Sequence, residues 1–189
     1  MKKSLGPRPL AFTAPVWCIG TYAPDGKPNV MTASWGGICC SVPPCVSFSL
    51  RKATYTYTCV LHSKAFTVSI PPARFAKEAD YFGMVSGKDT DKFKAAKLTP
   101  ARSQAVDAPY VDEFPLILEC KLVFHHELGL HTLFVGEVVD IKCDEAALDK
   151  HGRPDIEKVQ PLIFSPDVRV YHAVGGQVGR AFEIGRGIK

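Results

Sequence analysis

No C-x-x-C spacing occurs among the seven cysteines, no uninterrupted apolar run is long enough to span a bilayer, and the lysines and arginines form no basic block. Each absence excludes a class. Without a C-x-x-C step, the odd set Cys18, Cys39, Cys40, Cys45, Cys59, Cys120 and Cys143 offers neither a zinc-ribbon spacing nor an even disulfide framework. Most of these thiols are expected to be reduced and buried, as small hydrophobes in a reducing compartment. A bilayer span needs about 20 apolar residues, so no membrane span is expected. The start "MKKSLGPRPLAFTAPVW" is basic, but Pro7, Pro9 and Pro15 interrupt it and no signal-peptide core follows, which makes the cytosol the default location. A net charge of +4, with both signs interspersed, argues against nucleic acid as the main partner. No internal repeat, Ser-His-Asp set, paired carboxylate or P-loop is present, and the Gly-rich tail has no strand-turn-helix unit around it. In "FHHELGLH", His125 and His126 of one strand point to opposite faces, so they do not share an ion.

What is present is apolar and mostly β. The 189 residues are 46% hydrophobic and include eleven phenylalanines, enough for one domain, 1–189, with a sizeable core. "VWCIGTYAPDGKPNVMTASW" reads as a hairpin, two β-rich runs around the turn residues Pro24, Asp25 and Gly26. In "CVSFSLR" the alternation puts Val46, Phe48 and Leu50 on one face and Ser47 and Ser49 on the other. "KATYTYTCVLHSK" predicts a short helix, "AFTVSIP" a strand that ends at Pro71 and Pro72, and "ARFAKEADYFGMVSG" a helix to about Met84. "KDTDKFKAAKL" is a second short helical piece, and the stretch to Glu113 is polar and loop-like. "PLILECKLVFHHEL" and "HTLFVGEVVDIKCD" are two long strands turned around Gly129. A helical turn, the apolar "PLIFS" and the strand "VRVYHAV" follow. Seven or so strands with a few interposed helices predict a mainly β, antiparallel barrel.

One segment, "NVMTASWGGICCSVPPCVSFSLRKATYTYT", does not read as plain core. The strand "VSFSL" runs into Arg51 and Lys52 and then into Thr54, Tyr55, Thr56 and Thr58 at a helix start. Free first-turn N–H groups and the helix dipole suit an anion there. The arginine adds a planar fork, the lysine a point charge and the threonines neutral donors, a set that fits a phosphate monoester. A solvated strand edge and simple helix capping account for the same residues. Upstream, the small residues around Trp35 in "TASWGG" would let backbone polar groups approach a flat ring edge, or would form a β-bulge beside a core indole.

Together with "FGMVSGKDTDKF" and "GLHTLFVGEVVDI", that segment resembles the flavin-reductase-like family of FMN-binding split barrels, over nearly the whole chain. The resemblance implies a six-stranded antiparallel split β-barrel and a homodimer with one FMN per subunit near the dimer interface. It implies that Asn29, Thr32, Ser34 and Trp35 contact the flavin ring and ribityl chain, with Cys39 and Cys40 nearby. Ser49, Arg51, Lys52, Tyr55 and Thr56 would hold the phosphate end. Lys92, His131 and Phe164 match more distant positions that close the pocket, from the same or the other subunit. A cation such as Lys92 near the pyrimidine edge would stabilise an anionic reduced flavin; the alternative is an ordinary exposed helix lysine. His131 is alternatively a hairpin residue.

Three functions follow from this reading. The first is an FMN electron carrier between redox protein partners, such as a ferredoxin, cytochrome or hydrogenase system. The second is an NAD(P)H-dependent flavin reductase on the same barrel. The third is a small-ligand binding module without redox work. Cys39 and Cys40 add a thiol-exchange possibility beside the flavin, set against their lack of C-x-x-C spacing.

Overall fold

The computed structural model describes residues 1–186 and 188. In chain order its elements are β1 (Ala14–Pro15), β2 (Trp17–Tyr22), β3 (Pro28–Ala33), β4 (Gly36–Ser41), β5 (Pro44–Arg51), α1 (Tyr55–Ser63) and β6 (Ala65–Ile70). Then come α2 (Ala76–Met84), α3 (Lys92–Ala96), β7 (Pro100–Arg102), β8 (Pro109–Val111), β9 (Leu116–Leu128) and β10 (His131–Cys143). The described chain ends with α4 (Ile156–Val159), β11 (Leu162–Ser165) and β12 (Val170–Ala173).

The principal sheet is antiparallel, with seven strands in the order β3-β2-β6-β9-β10-β5-β4. Its two edge strands, β3 and β4, are consecutive in the chain and separated by Ser34 and Trp35 alone. So short a link forces the right-handed twist to curl the sheet until its edges approach, which makes a barrel with a seam at Ser34 and Trp35. This is a split β-barrel. The strand count differs from the six expected because β4, read from sequence as a close-approach segment, folds back on β5 through the turn Val42–Pro43. A smaller sheet, β1-β11-β12, and the pair β7-β8 lie outside it. The pair falls in the stretch expected to be loop; three-residue strands among prolines carry too little periodicity to be read from sequence.

The long hairpin forms as expected: β9 and β10 turn over Gly129 and Leu130, with Gly129 at φ 53°, a conformation glycine adopts at no steric cost. The alternation of β5 also holds, with Val46, Phe48 and Leu50 buried and Ser47 and Ser49 half-buried. Inside the barrel Phe48 meets Phe66 edge-on at 4.9 Å and stacks on Phe134 at 5.6 Å. A side chain at Gly136 would stand 2.2 Å from the Phe66 ring, so glycine is what lets β10 pass this cluster. A second apolar cluster, including Val16, Cys18, Phe82, Phe93 and Phe114, seats α2 and α3 against the outer face of β2 and β3. The Thr32 hydroxyl donates to the Ala79 carbonyl and ties α2 to β3.

Candidate functional site

Where α1 begins beside β3 and the end of α2, a cleft of about 220 Å³ opens, lined by Met31, Ala53–Thr56, Gly83–Gly87 and Lys92. Behind its lining residues Thr56 and Gly87 the packing is polar and incompletely paired. Asn29 Nδ2 donates to Thr56 Oγ1 at 2.9 Å, while Asn29 Oδ1 is buried with no hydrogen-bond partner among the described residues. A buried acceptor left without a donor costs about 1–3 kcal/mol, so such an atom is ordinarily matched by water or a ligand. Gly87 lies against it: a Cβ there would stand 2.0 Å from Asn29 Oδ1 and 3.3 Å from the Tyr55 ring. Glycine at this position leaves room for the Asn29 amide beneath the cleft wall.

Helix α1 starts at the cleft wall. Its cap residue Thr54 spends its hydroxyl on the Arg51 carbonyl at 2.8 Å instead of capping the helix. The first-turn N–H groups of Tyr55 and Thr56 consequently have no partner among the described residues. Arg51, at the exposed end of β5, has no ion-pair partner among the described residues, whereas Lys52 is paired with Glu127 at 2.6 Å. Of the two cations expected at a phosphate, Arg51 is the uncommitted one.

Lys92 is not an ordinary surface lysine. It is 4% exposed, and its Nζ donates to the Phe82 carbonyl in the last turn of α2 at 2.8 Å. A cation there complements the negative end of the helix dipole. Its two remaining N–H donors have no partner among the described residues, and the residue lines the cleft. Burial pushes the ammonium down from 10.5 to about 8, partly opposed by the Cys18 and Cys59 thiols.

The other expected residues divide. Thr32 is committed to Ala79, so what it offers the cleft is backbone. Ser34 and Trp35 sit at the barrel seam and line a second hollow of about 430 Å³ with Arg8–Ala11 and Thr13–Pro15. Trp35 is 39% exposed there, and its carbonyl accepts from the Ser49 amide at 2.8 Å, which brings Ser49 to the seam. His131 stands opposite Arg51 in the β10–β5 register. Cys39 and Cys40 are exposed on β4, the outer edge. Phe164, on β11, faces Tyr171 at 5.4 Å and lines neither hollow within one chain. Missed from sequence were Met31, Ala53 and the Met84–Ser86 turn. The glycines flanking that turn, Gly83 and Gly87, were the available signal.

Barrel, seam and polar cleft define a split-barrel protein with a ligand-sized cleft at a helix start. The chain matches the family model described as "Flavin reductase like domain" over residues 10–172, and it belongs to that family. Flavoredoxin of Desulfovibrio vulgaris (Miyazaki F) is 50% identical to it, with a TM-score of 0.95 over 98% of this chain and 100% of that one. Flavoredoxin from Methanosarcina acetivorans is 28% identical, with a TM-score of 0.92 and full coverage of both chains (100% each). Among relatives named for an activity, the ferric-chelate reductase (NAD(P)H) of Archaeoglobus fulgidus is 30% identical over 102 residues, 53% of this chain and 59% of that protein.

Proposed function

We propose that the protein binds FMN as a resident cofactor and carries electrons between redox protein partners. The observation that carries this reading is the conjunction, on one cleft, of the uncapped α1 N-terminus and the buried Lys92 ammonium, with the orphaned Asn29 Oδ1 packed behind the lining residues Thr56 and Gly87. The helix start and the ammonium fit different parts of a flavin mononucleotide. The Tyr55 and Thr56 amides, the Thr54 and Thr56 hydroxyls and Arg51 suit the phosphate, with Lys52 available on release from Glu127. Asn29, behind that wall, holds Thr56 in place by donating to its hydroxyl oxygen. Lys92 supplies two N–H groups and a positive charge where reduction would place negative charge. Bound there, FMN supplies reversible electron uptake; the chain supplies orientation and charge. At about 220 Å³ the cleft holds only part of such a ligand; the hollow lined by Ser34 and Trp35 shares no lining residue with it, and we assign the flavin ring to that side of β3.

The flavoredoxin likeness, over nearly all of both chains, supports a carrier. We propose a single domain and a homodimer as the working unit, with Cys39, Cys40, His131 and Phe164 meeting the flavin only if the second copy brings them to it. Exposed Val139 and Ile141 on β10 support a second copy there. A ferredoxin, cytochrome or hydrogenase system suits the role of donor and acceptor. Seven free cysteines fit a reducing, cytoplasmic setting, and no helix among the described residues is long and apolar enough to cross a membrane. The relative named for NAD(P)H-dependent ferric-chelate reduction favours a second reading, a nicotinamide-driven flavin reductase.

An anaerobic visible-absorption titration, first with NADPH and NADH and then with dithionite, separates them. Yellow flavin bands that only dithionite bleaches support the carrier. Rapid bleaching by a nicotinamide supports the reductase, and a colourless protein that takes up no FMN overturns both.

A further inference from the structure

The β4–β5 hairpin sets two thiols face to face. Cys40 and Cys45 are direct partners in its antiparallel register, one step beyond the pair Ser41–Pro44 that closes the turn. Residues opposite each other in such a ladder have Cα atoms about 4.5–5.5 Å apart and side chains on one face. A disulfide needs about 4.4–6.8 Å. Cys39 has no such partner, because the register jumps between Ile38 and Cys40 and leaves it as the extra, unpaired residue of a bulge. The two thiols are also unequal: Cys40 is exposed and Cys45 is buried at 7% exposure. Burial, followed by the neighbouring Cys40 and Cys39, pushes the Cys45 thiol up. No group of three His, Cys, Asp or Glu side chains is placed to hold a metal among the described residues, so a metal does not account for the cluster.

We propose that Cys40 and Cys45 are a redox-active dithiol that closes to a cross-strand disulfide by exchange with a small-molecule disulfide of the glutathione class. The exposed Cys40 thiolate attacks one sulfur of the oxidant, the S–S bond breaks, and one thiol leaves with a mixed disulfide on Cys40. Cys45 then loses its proton to solvent and attacks the Cys40 sulfur, releasing the second thiol. Two protein thiols are oxidised and one small disulfide is reduced to two thiols. The bond staples the strand that leads through Ser49 to Arg51.

The test equilibrates the whole protein with graded ratios of oxidised and reduced glutathione. Acid quenching, alkylation of free thiols under denaturing conditions and intact-mass measurement follow. Expected is the loss of one alkylatable thiol pair with no retained glutathione, unchanged in Cys39→Ser and abolished in Cys40→Ser. Cys40 is exposed, so its serine variant keeps the fold. Retention of every thiol in the oxidising buffers, glutathione adducts without pair loss, or pair loss persisting in Cys40→Ser would each overturn the proposal.

Discussion

Replacing Lys92 with methionine tests the electrostatics of the cleft without any ligand. The wild-type ammonium, 4% exposed, is held down from 10.5 to about 8 because burial strips its hydration. At about 1.4 kcal/mol per pH unit, that depression costs the charged form about 3 kcal/mol. The sign follows from linkage. Between pH 8 and 10.5 the unfolded chain holds this proton and the folded chain releases it, so Lys92's contribution to stability rises with pH across that window. Cys18 and Cys120 act the other way, since burial raises both thiols from 9.0 to about 12 and stability falls as the unfolded thiols ionise. The raw wild-type curve therefore mixes opposing slopes. Lys92→Met keeps both cysteines, so subtracting the variant curve leaves the lysine together with its coupling to the Cys18 and Cys59 thiols, a smaller effect than the burial. Urea unfolding of flavin-free protein from pH 7 to pH 11 should give a difference curve that climbs by roughly 3 kcal/mol in favour of wild type. A flat difference curve would refute the burial argument. If Lys92 also meets the flavin, wild-type FMN affinity is level below about pH 8, falls above it, and loses that dependence in the variant.

Arg51→Ala should raise the dissociation constant for FMN by about 10- to 100-fold, the loss of one charge-assisted contact, with urea stability unchanged; wild-type affinity would mean the phosphate lies elsewhere. Gly87→Ala puts a methyl 2.0 Å from Asn29 Oδ1. It should break the Asn29–Thr56 bond and lower flavin affinity at least about tenfold, by roughly the net worth of one hydrogen bond or more, and undiminished binding in fluorescence titration would count against the cleft. Glu119, fully buried on β9, accepts from the Ala105 amide at 2.8 Å and pairs with Lys142 at 3.1 Å. Burial alone would raise its carboxyl, but hydrogen bonds from Ser103, Ala105 and Lys142 outweigh it and hold the group below 4.5. Its contribution is present above that pH and is lost as pH falls through the folded value. Glu119→Gln should cost about 1–3 kcal/mol at pH 7 and flatten the acid limb of the stability curve; an unchanged acid midpoint would remove the network from the account.

Local pattern determined much of this molecule. The alternation at Val46, Phe48 and Leu50, the turn residues Asp25 and Gly26, and Gly129 between two long β runs specify strands and hairpins because their signals lie within a few residues. The strand-to-helix step at Arg51–Thr56 is likewise legible, since adjacent residues build it. Other features were decided only by tertiary packing. Nothing near Lys92 in the sequence says that α2 will bury it and present the Phe82 carbonyl to it. Asn29 acquires an orphaned oxygen only because Gly87, far along the chain, closes over it. Lys52 and Glu127 pair because two strand ends meet, and Cys45 faces Cys40 because a turn reverses the chain between them. The barrel seam follows from strand order, which depends on which edges find each other. Sequence sets what each residue prefers over short range; burial, unpaired atoms and thiol proximity are properties of distant segments brought together, and only the folded chain contains them.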